Sequence, residues 1–161
     1  EETPSWVYRL RARCYHEMGS PRDARAAYAQ LLRVDPEDIA SWIEYGATVH
    51  EIGDMKRLET CADRLIALAP GRCEGYLYKG LVALEHGRLD MAQAWLERAV
   101  DMSPSEQVVP LLALAQVERL RGDEEAAFRW CQQVLLENPS DLHAQELANK
   151  LATGSLDAMP D

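Results

Sequence analysis

The sequence has a single Phe among its 161 residues, no excess of positive charge and no long apolar run. A core must therefore come from Leu, Ala, Val, Tyr and Trp, and a chain of this length can bury one. Lys and Arg number 17 against 27 Asp and Glu, giving a net charge of −10 and an isoelectric point near 4.9. That balance argues against nucleic acid, which needs a basic stripe to release counterions, and against an anionic membrane surface. No segment reaches the roughly 18 apolar residues of a membrane-spanning helix. Glu1 is preceded by no signal peptide and no initiator Met, so the chain is expected to be a fragment or a processed product. Cys14, Cys61, Cys73 and Cys131 make no CxxC pair and no zinc spacing. They are expected to be four small buried apolar residues of a reducing, cytoplasmic compartment. A glycine-rich phosphate loop, GxSxG and HExxH are all missing. The expectation is a non-enzyme with no catalytic residue, no cofactor and no metal.

What the sequence does have is a period. Gly stands at 19, 53, 87 and 122, and Pro at 36, 70, 104 and 139. The gap from Gly to Pro is 17 each time, and the step between units is 34, 34 and 35. The extra residue is expected in Ser105 to Gln107. Before each Gly lies one apolar helical pattern, anchored for example by Trp42, Tyr45, Gly46 and Val49. After it lies a second, such as Leu58, Ala62 and Leu65. Ala12, Gly46, Gly80 and Ala115 are small at the one position where two helices must come close. The four glycines are expected to end helices at positive φ. The prolines are expected in the first turn of the next helix, with Asp35, Ser103 and Asn138 as caps.

These residues resemble the tetratricopeptide repeat, whose 34-residue pattern runs W-x2-L-G-x2-Y, then A-x3-F, then P. Trp42-x2-Tyr45-Gly46-x2-Val49 comes close to it. Arg11 and Lys79 replace the usual leucine, and Glu118 stands where an apolar residue is usual. The resemblance implies an all-α, right-handed superhelical solenoid of four helix-turn-helix units plus a C-terminal capping helix. Its parts would be a leader at 1–4, one domain at 5–152 with repeats 5–38, 39–72, 73–107 and 108–141, a capping helix at 140–152 and a flexible tail at 153–161.

In this family the first helix of each pair lines the concave surface. Here that face would offer Arg9, Arg13, His16 and Glu17, then Ile43, Ala47, His50 and Glu51. Further on it would offer Glu74, Leu77, Leu81, Leu84 and Glu85, then Leu112, Gln116 and Arg119. Such a groove is basic at its start, apolar in the middle, and carries an acidic ladder of Glu17, Glu51 and Glu85. The His16-Glu17 and His50-Glu51 pairs are expected to be solvated rather than metal-binding. One class in the family clamps chaperone C-terminal carboxylates, but Glu44 and Glu74 at the matching positions would repel a carboxylate. The expected function is a non-enzymatic scaffold that holds a peptide or amphipathic helix of another protein in the groove. Narrower alternatives are a small secretion-type chaperone holding an apolar client segment, or a docking domain cut from a larger enzyme. Self-association, head to tail, is also open, because the first unit is basic and the C-terminal end acidic.

Overall fold

The computed structural model describes residues 3–102 and 108–157, the last five by backbone alone. Ser103, Pro104 and the insertion expected at 105–107 lie outside the described residues. The described residues form nine α-helices and no strand: α1 (Ser5–Glu17), α2 (Pro21–Val34), α3 (Ile39–Ile52), α4 (Met55–Leu68), α5 (Cys73–Glu85), α6 (Leu89–Met102), α7 (Val108–Arg121), α8 (Glu124–Glu137) and α9 (Leu142–Asp157). This is an all-α helical-repeat architecture. The sequence suggests one domain, but the packing divides the chain into two compact units, Glu1–Tyr78 and Lys79–Asp161, with the boundary inside α5. Repeats that touch only their neighbours have no single core to hold them together.

The turn inside each pair is the same device four times. Gly53, at φ 79°, caps α3, and the amides of Gly53 and Asp54 return to the carbonyls of His50 and Val49 at 2.9 and 2.8 Å. Gly19, Gly87 and Gly122 also have positive φ, a region that side chains with a Cβ rarely enter. The following helix is then capped by an aspartate in two of the pairs: Asp54 accepts from the amide of Arg57 at 3.1 Å and Asp123 from that of Ala126 at 2.8 Å.

The prolines sit elsewhere than the sequence suggests. Pro36, Pro70 and Pro139 each precede the next helix by three residues and lie in the turn between pairs. Asp35 and Asn138 accordingly close α2 and α8 rather than opening the next helices. The N-caps of α3 and α9 are Asp38 and Asp141, which accept from Ser41 and Ala144 at 3.4 and 2.8 Å. Each of these three proline carbonyls receives a side chain six residues on: Trp42 Nε1 to Pro36 at 2.8 Å, Tyr76 hydroxyl to Pro70 at 3.0 Å, Gln145 Nε2 to Pro139 at 2.7 Å. The turn is thereby tied to the helix that follows it.

In the first unit Leu31, Val49, Leu58, Cys61 and Leu65 are fully buried. Its helices approach closely where glycine allows it. A Cβ on Gly75 would lie 2.8 Å from Ile66 Cγ1 and 3.1 Å from the Ile66 amide on α4. In the second unit Leu96, Leu111, Leu114, Val117, Cys131 and Val134 are buried, and Leu96 fills the space a side chain on Gly80 would need. Ala144, Ala148 and Leu151 of α9 are buried as well, Ala148 and Leu151 in a cluster with Ala115, Ala127 and Cys131. The sequence suggests that this helix stops at 152; it runs to Asp157. A single glycine inside a helix, as at Gly154, costs only about 1 kcal/mol, so it need not end one.

Two features of the sequence resolve locally. Glu118, an intruder in the apolar pattern, pairs with Arg121 at 3.2 Å. Cys61 and Cys131 are buried and Cys73 half-buried, but Cys14 is exposed, contrary to expectation. The places equivalent to Cys14, namely Thr48, Val82 and Val117, are buried.

Candidate partner-binding site

The first unit carries a cleft of about 230 Å³ lined by Arg13, His16 and Glu17 of α1, Tyr28 of α2, and Glu44, Ala47 and Thr48 of α3. The helical repeat of about 3.6 residues puts Arg13, His16 and Glu17 on one side of α1, and Glu44, Ala47, Thr48 and Glu51 on one side of α3. Ala47 is exposed and small, so the floor is open. Tyr28 is buried, with its hydroxyl donating to Glu44 at 3.0 Å. Burial and then the adjacent Glu44 carboxylate push the Tyr28 pKa upward, so the hydroxyl stays protonated at neutral pH. Thr48 donates to the Glu44 carbonyl at 2.8 Å. His16 and Glu51 approach to 4.0 Å across α1 and α3, both half exposed.

The candidate residues separate into those gathered at this cleft and those held elsewhere. Arg13, His16 and Ala47 line it, Glu51 reaches it through His16, and Arg13 makes no ion pair among the described residues. Arg9 is bound to Asp38 at the start of α3, and its Nε is buried without a hydrogen bond. Burial alone would raise the Asp38 pKa, but hydrogen bonds from Ser41 and Arg9 outweigh it and hold the carboxyl below its usual range. Ile43 is half-buried, and its carbonyl accepts from the Tyr78 hydroxyl at 2.8 Å. His50 is exposed. Glu74 is gripped by Arg72, whose Nε lies 3.1 and 3.2 Å from its two oxygens. Its carboxyl is held below the usual pKa, the bonds from Arg72 offsetting the burial. Leu77 in the first unit, and Leu81, Leu84, Leu112 and Gln116 in the second, are half-buried, while Arg119 is exposed. Among the described residues no three His, Cys, Asp or Glu side chains are placed to share a metal ion.

Sequence reasoning did not place Tyr28 and Thr48 at the site. Tyr28 reads as a core anchor of the second helix, which it also is. The one signal of its second role is the hydroxyl, since a buried tyrosine usually finds a hydrogen-bond partner.

The tetratricopeptide-repeat pattern matches residues 5–48 and again 59–106, together more than half of the chain. The chain belongs to the tetratricopeptide-repeat family, whose members are generally non-catalytic scaffolds that bind other proteins. Solved structures share the fold. A MamA protein superposes with a TM-score of 0.72 at 18% identity, covering 94% of this chain and 82% of that one. A MamA from Desulfovibrio magneticus gives 0.74 at 20% identity over 95% and 86% of the two chains. A tetratricopeptide-repeat protein from Parabacteroides merdae gives 0.76 at 17% identity, over 92% of this chain and 58% of that one. No curated protein sequence matches significantly. No described helix is long and apolar enough to cross a membrane.

Proposed function

We propose that the chain is a non-enzymatic scaffold that holds a peptide segment of another protein on the inner face of its first helices, with the α1–α3 cleft as the principal contact. The observation that carries this reading is the open, mixed-charge floor around Ala47. Glu44 and Glu17 lie on its wall with Arg13, which forms no ion pair with another described residue. A partner segment with a Lys or Arg side chain for Glu44, and a carboxylate one turn away for Arg13, matches that wall. Ile43 and Leu77 of the same unit offer apolar surface for its remaining anchors.

The chemistry of the site supports binding rather than catalysis. Burial moves the pKa of Tyr28, the buried hydroxyl at the cleft, upward, toward the neutral and inert form. The test is affinity capture with the wild-type chain beside Ala47→Trp, which fills the cleft from an exposed position. A partner that is retained by the wild type and lost by the variant, with both equally helical by circular dichroism, supports the reading. Equal capture by both removes the cleft as the contact.

A further inference from the structure

The first unit carries a second crevice, between α2 and α4, on the side of α3 turned away from Ala47. By the helical repeat, Trp42 and Tyr45 lie on the opposite side of α3 from Ala47. With Leu32 of α2 they form the apolar floor of a crevice of about 310 Å³, banked by Arg33 of α2 and by Arg57 and Thr60 of α4. The floor is fixed before anything binds. Trp42 Nε1 donates to the Pro36 carbonyl at 2.8 Å, and its ring meets that of Tyr45 edge to face, with 6.1 Å between centres. A floor already ordered costs an incoming side chain less to bind. The repeat itself does not demand this chemistry. The place of Tyr45 is taken by Arg11, Lys79 and Leu114 in the other units, and that of Arg33 by Ala67, Asp101 and Leu136. The fold therefore needs neither a ring at 45 nor an arginine at 33.

The rim is cationic in a chain whose net charge is −10. Asp54 stands at one end and is shared by two arginines, Arg57 from α4 and, at 3.7 Å, Arg25 from α2. Those two are occupied. Arg33 is exposed and has no ion pair with another described residue. Arg64, one turn beyond Thr60 on the same side of α4, holds its guanidinium over the Trp42 ring at 5.7 Å. Stacking uses the flat face of that group and leaves the N–H donors on its edge open to a carboxylate. Two open cationic groups thus stand on opposite banks of an apolar floor.

We infer that this crevice is a second docking site, for an acidic peptide segment of another protein that carries one large apolar side chain. The apolar side chain would lie against Leu32, Trp42 and Tyr45, with a carboxylate on either side of it reaching Arg33 and Arg64. A volume at the lower end of the range for ligand pockets suits one such side chain better than a whole cofactor. The chemistry is the reverse of that at the α1–α3 cleft, where Glu17 and Glu44 call for a basic residue. The two sites therefore take different segments, and blocking one leaves the other open.

Nuclear magnetic resonance of the full chain tests this with the end-capped peptide Asp-Asp-Phe-Asp-Asp, beside Lys-Lys-Phe-Lys-Lys and Asp-Asp-Ser-Asp-Asp. The reporter is the Trp42 indole N–H, assigned by its loss in Trp42→Phe. With the first peptide its signal is expected to shift and to saturate at millimolar concentration, and the affinity to fall in high salt. The basic peptide, and the serine peptide that lacks the apolar side chain, are expected to bind about tenfold more weakly or less. Arg33→Ala combined with Arg64→Ala removes two exposed charge contacts and is expected to weaken the first peptide about tenfold. Thr60→Trp fills the crevice from an exposed position and is expected to abolish the shift. Circular dichroism checks that each variant is folded. Ala47→Trp is expected to leave the shift unchanged, which separates this site from the α1–α3 cleft. No saturable shift at Trp42 overturns the proposal. So does equal binding of the basic or the serine peptide, undiminished binding by the double variant or by Thr60→Trp, or a shift that Ala47→Trp abolishes.

Discussion

Tyr78 lies where a side chain on residue 46 would have to be. A Cβ built on Gly46 falls 2.1 Å from Cε2 of the Tyr78 ring, and the hydroxyl of the same ring donates to Ile43 at 2.8 Å, one turn earlier on α3. The ring is buried and held at both ends, so it cannot move aside. Ala in place of a helical Gly normally stabilises by about 0.5–1 kcal/mol. Here the overlap reverses the sign. Gly46→Ala is expected to lose about 1–3 kcal/mol in urea unfolding. Combining it with Tyr78→Leu should cost less than the sum of the two single changes, because the leucine vacates the space. Additive losses would mean that the two residues do not share that volume.

The acid limb of stability should carry a signature of Asp38. Its carboxyl caps α3 and binds Arg9, and those bonds outweigh burial to hold its pKa below the usual value. A depressed folded value means the contribution is complete above the unfolded pKa, about 3.9, and is lost as pH falls through the folded one. Asp38→Asn keeps a capping oxygen but no charge. Its melting temperature is expected below that of the wild type at pH 7, with the gap narrowing as pH is lowered to 3. A gap that stays constant between the two would show that the charge is not involved.

Removal of α9 should uncover the last core cluster. Ala148 and Leu151 of α9 pack with Ala115, Ala127 and Cys131, with Phe128 and Trp130 against the same cluster. A chain ending at Pro139 is expected to bind a hydrophobic dye and to aggregate on warming, with the second unit losing stability first. The milder change Leu151→Ala is expected to cost about 2–5 kcal/mol, the range for removing a buried leucine. Unchanged melting in the truncated chain would show that α9 covers nothing the core needs.

The thiols should separate by burial. Cys61 is fully buried, and that burial pushes its pKa up to about 12, leaving about one thiolate in ten thousand at pH 8. Cys131 is shifted the same way for the same reason. Cys14 is exposed. In dilute native protein, alkylation followed by mass spectrometry is expected to mark Cys14 well before Cys61 and Cys131. Equal rates would mean that the helices open faster than the reagent reacts.

The period, the helix pairs and the four left-handed glycines were legible because each rests on a local rule. Gly53 and Gly122 need only their own φ, and the small residues at 46 and 80 need only one close neighbour. The prolines were misplaced by three residues because proline suits both the first helical turn and the turn just after a helix end. The bonds that decide between them, such as Trp42 to the Pro36 carbonyl, are made by side chains six residues away. The site was less legible. Glu44 in isolation reads as a free carboxylate, and its bond from Tyr28 depends on how α2 packs against α3. Arg9 reads as a groove cation, and only the turn before α3 shows that Asp38 takes it.

The most direct test of the central claim is a photo-crosslinking amino acid at position 47, introduced into the full chain and irradiated in cell extract. The account predicts one dominant protein adduct. The adduct should disappear with Glu44→Ala or Arg13→Ala in the same chain, and should map to a partner segment carrying a basic residue. No adduct at 47, together with unchanged capture of the same partners by Ala47→Trp, would contradict it.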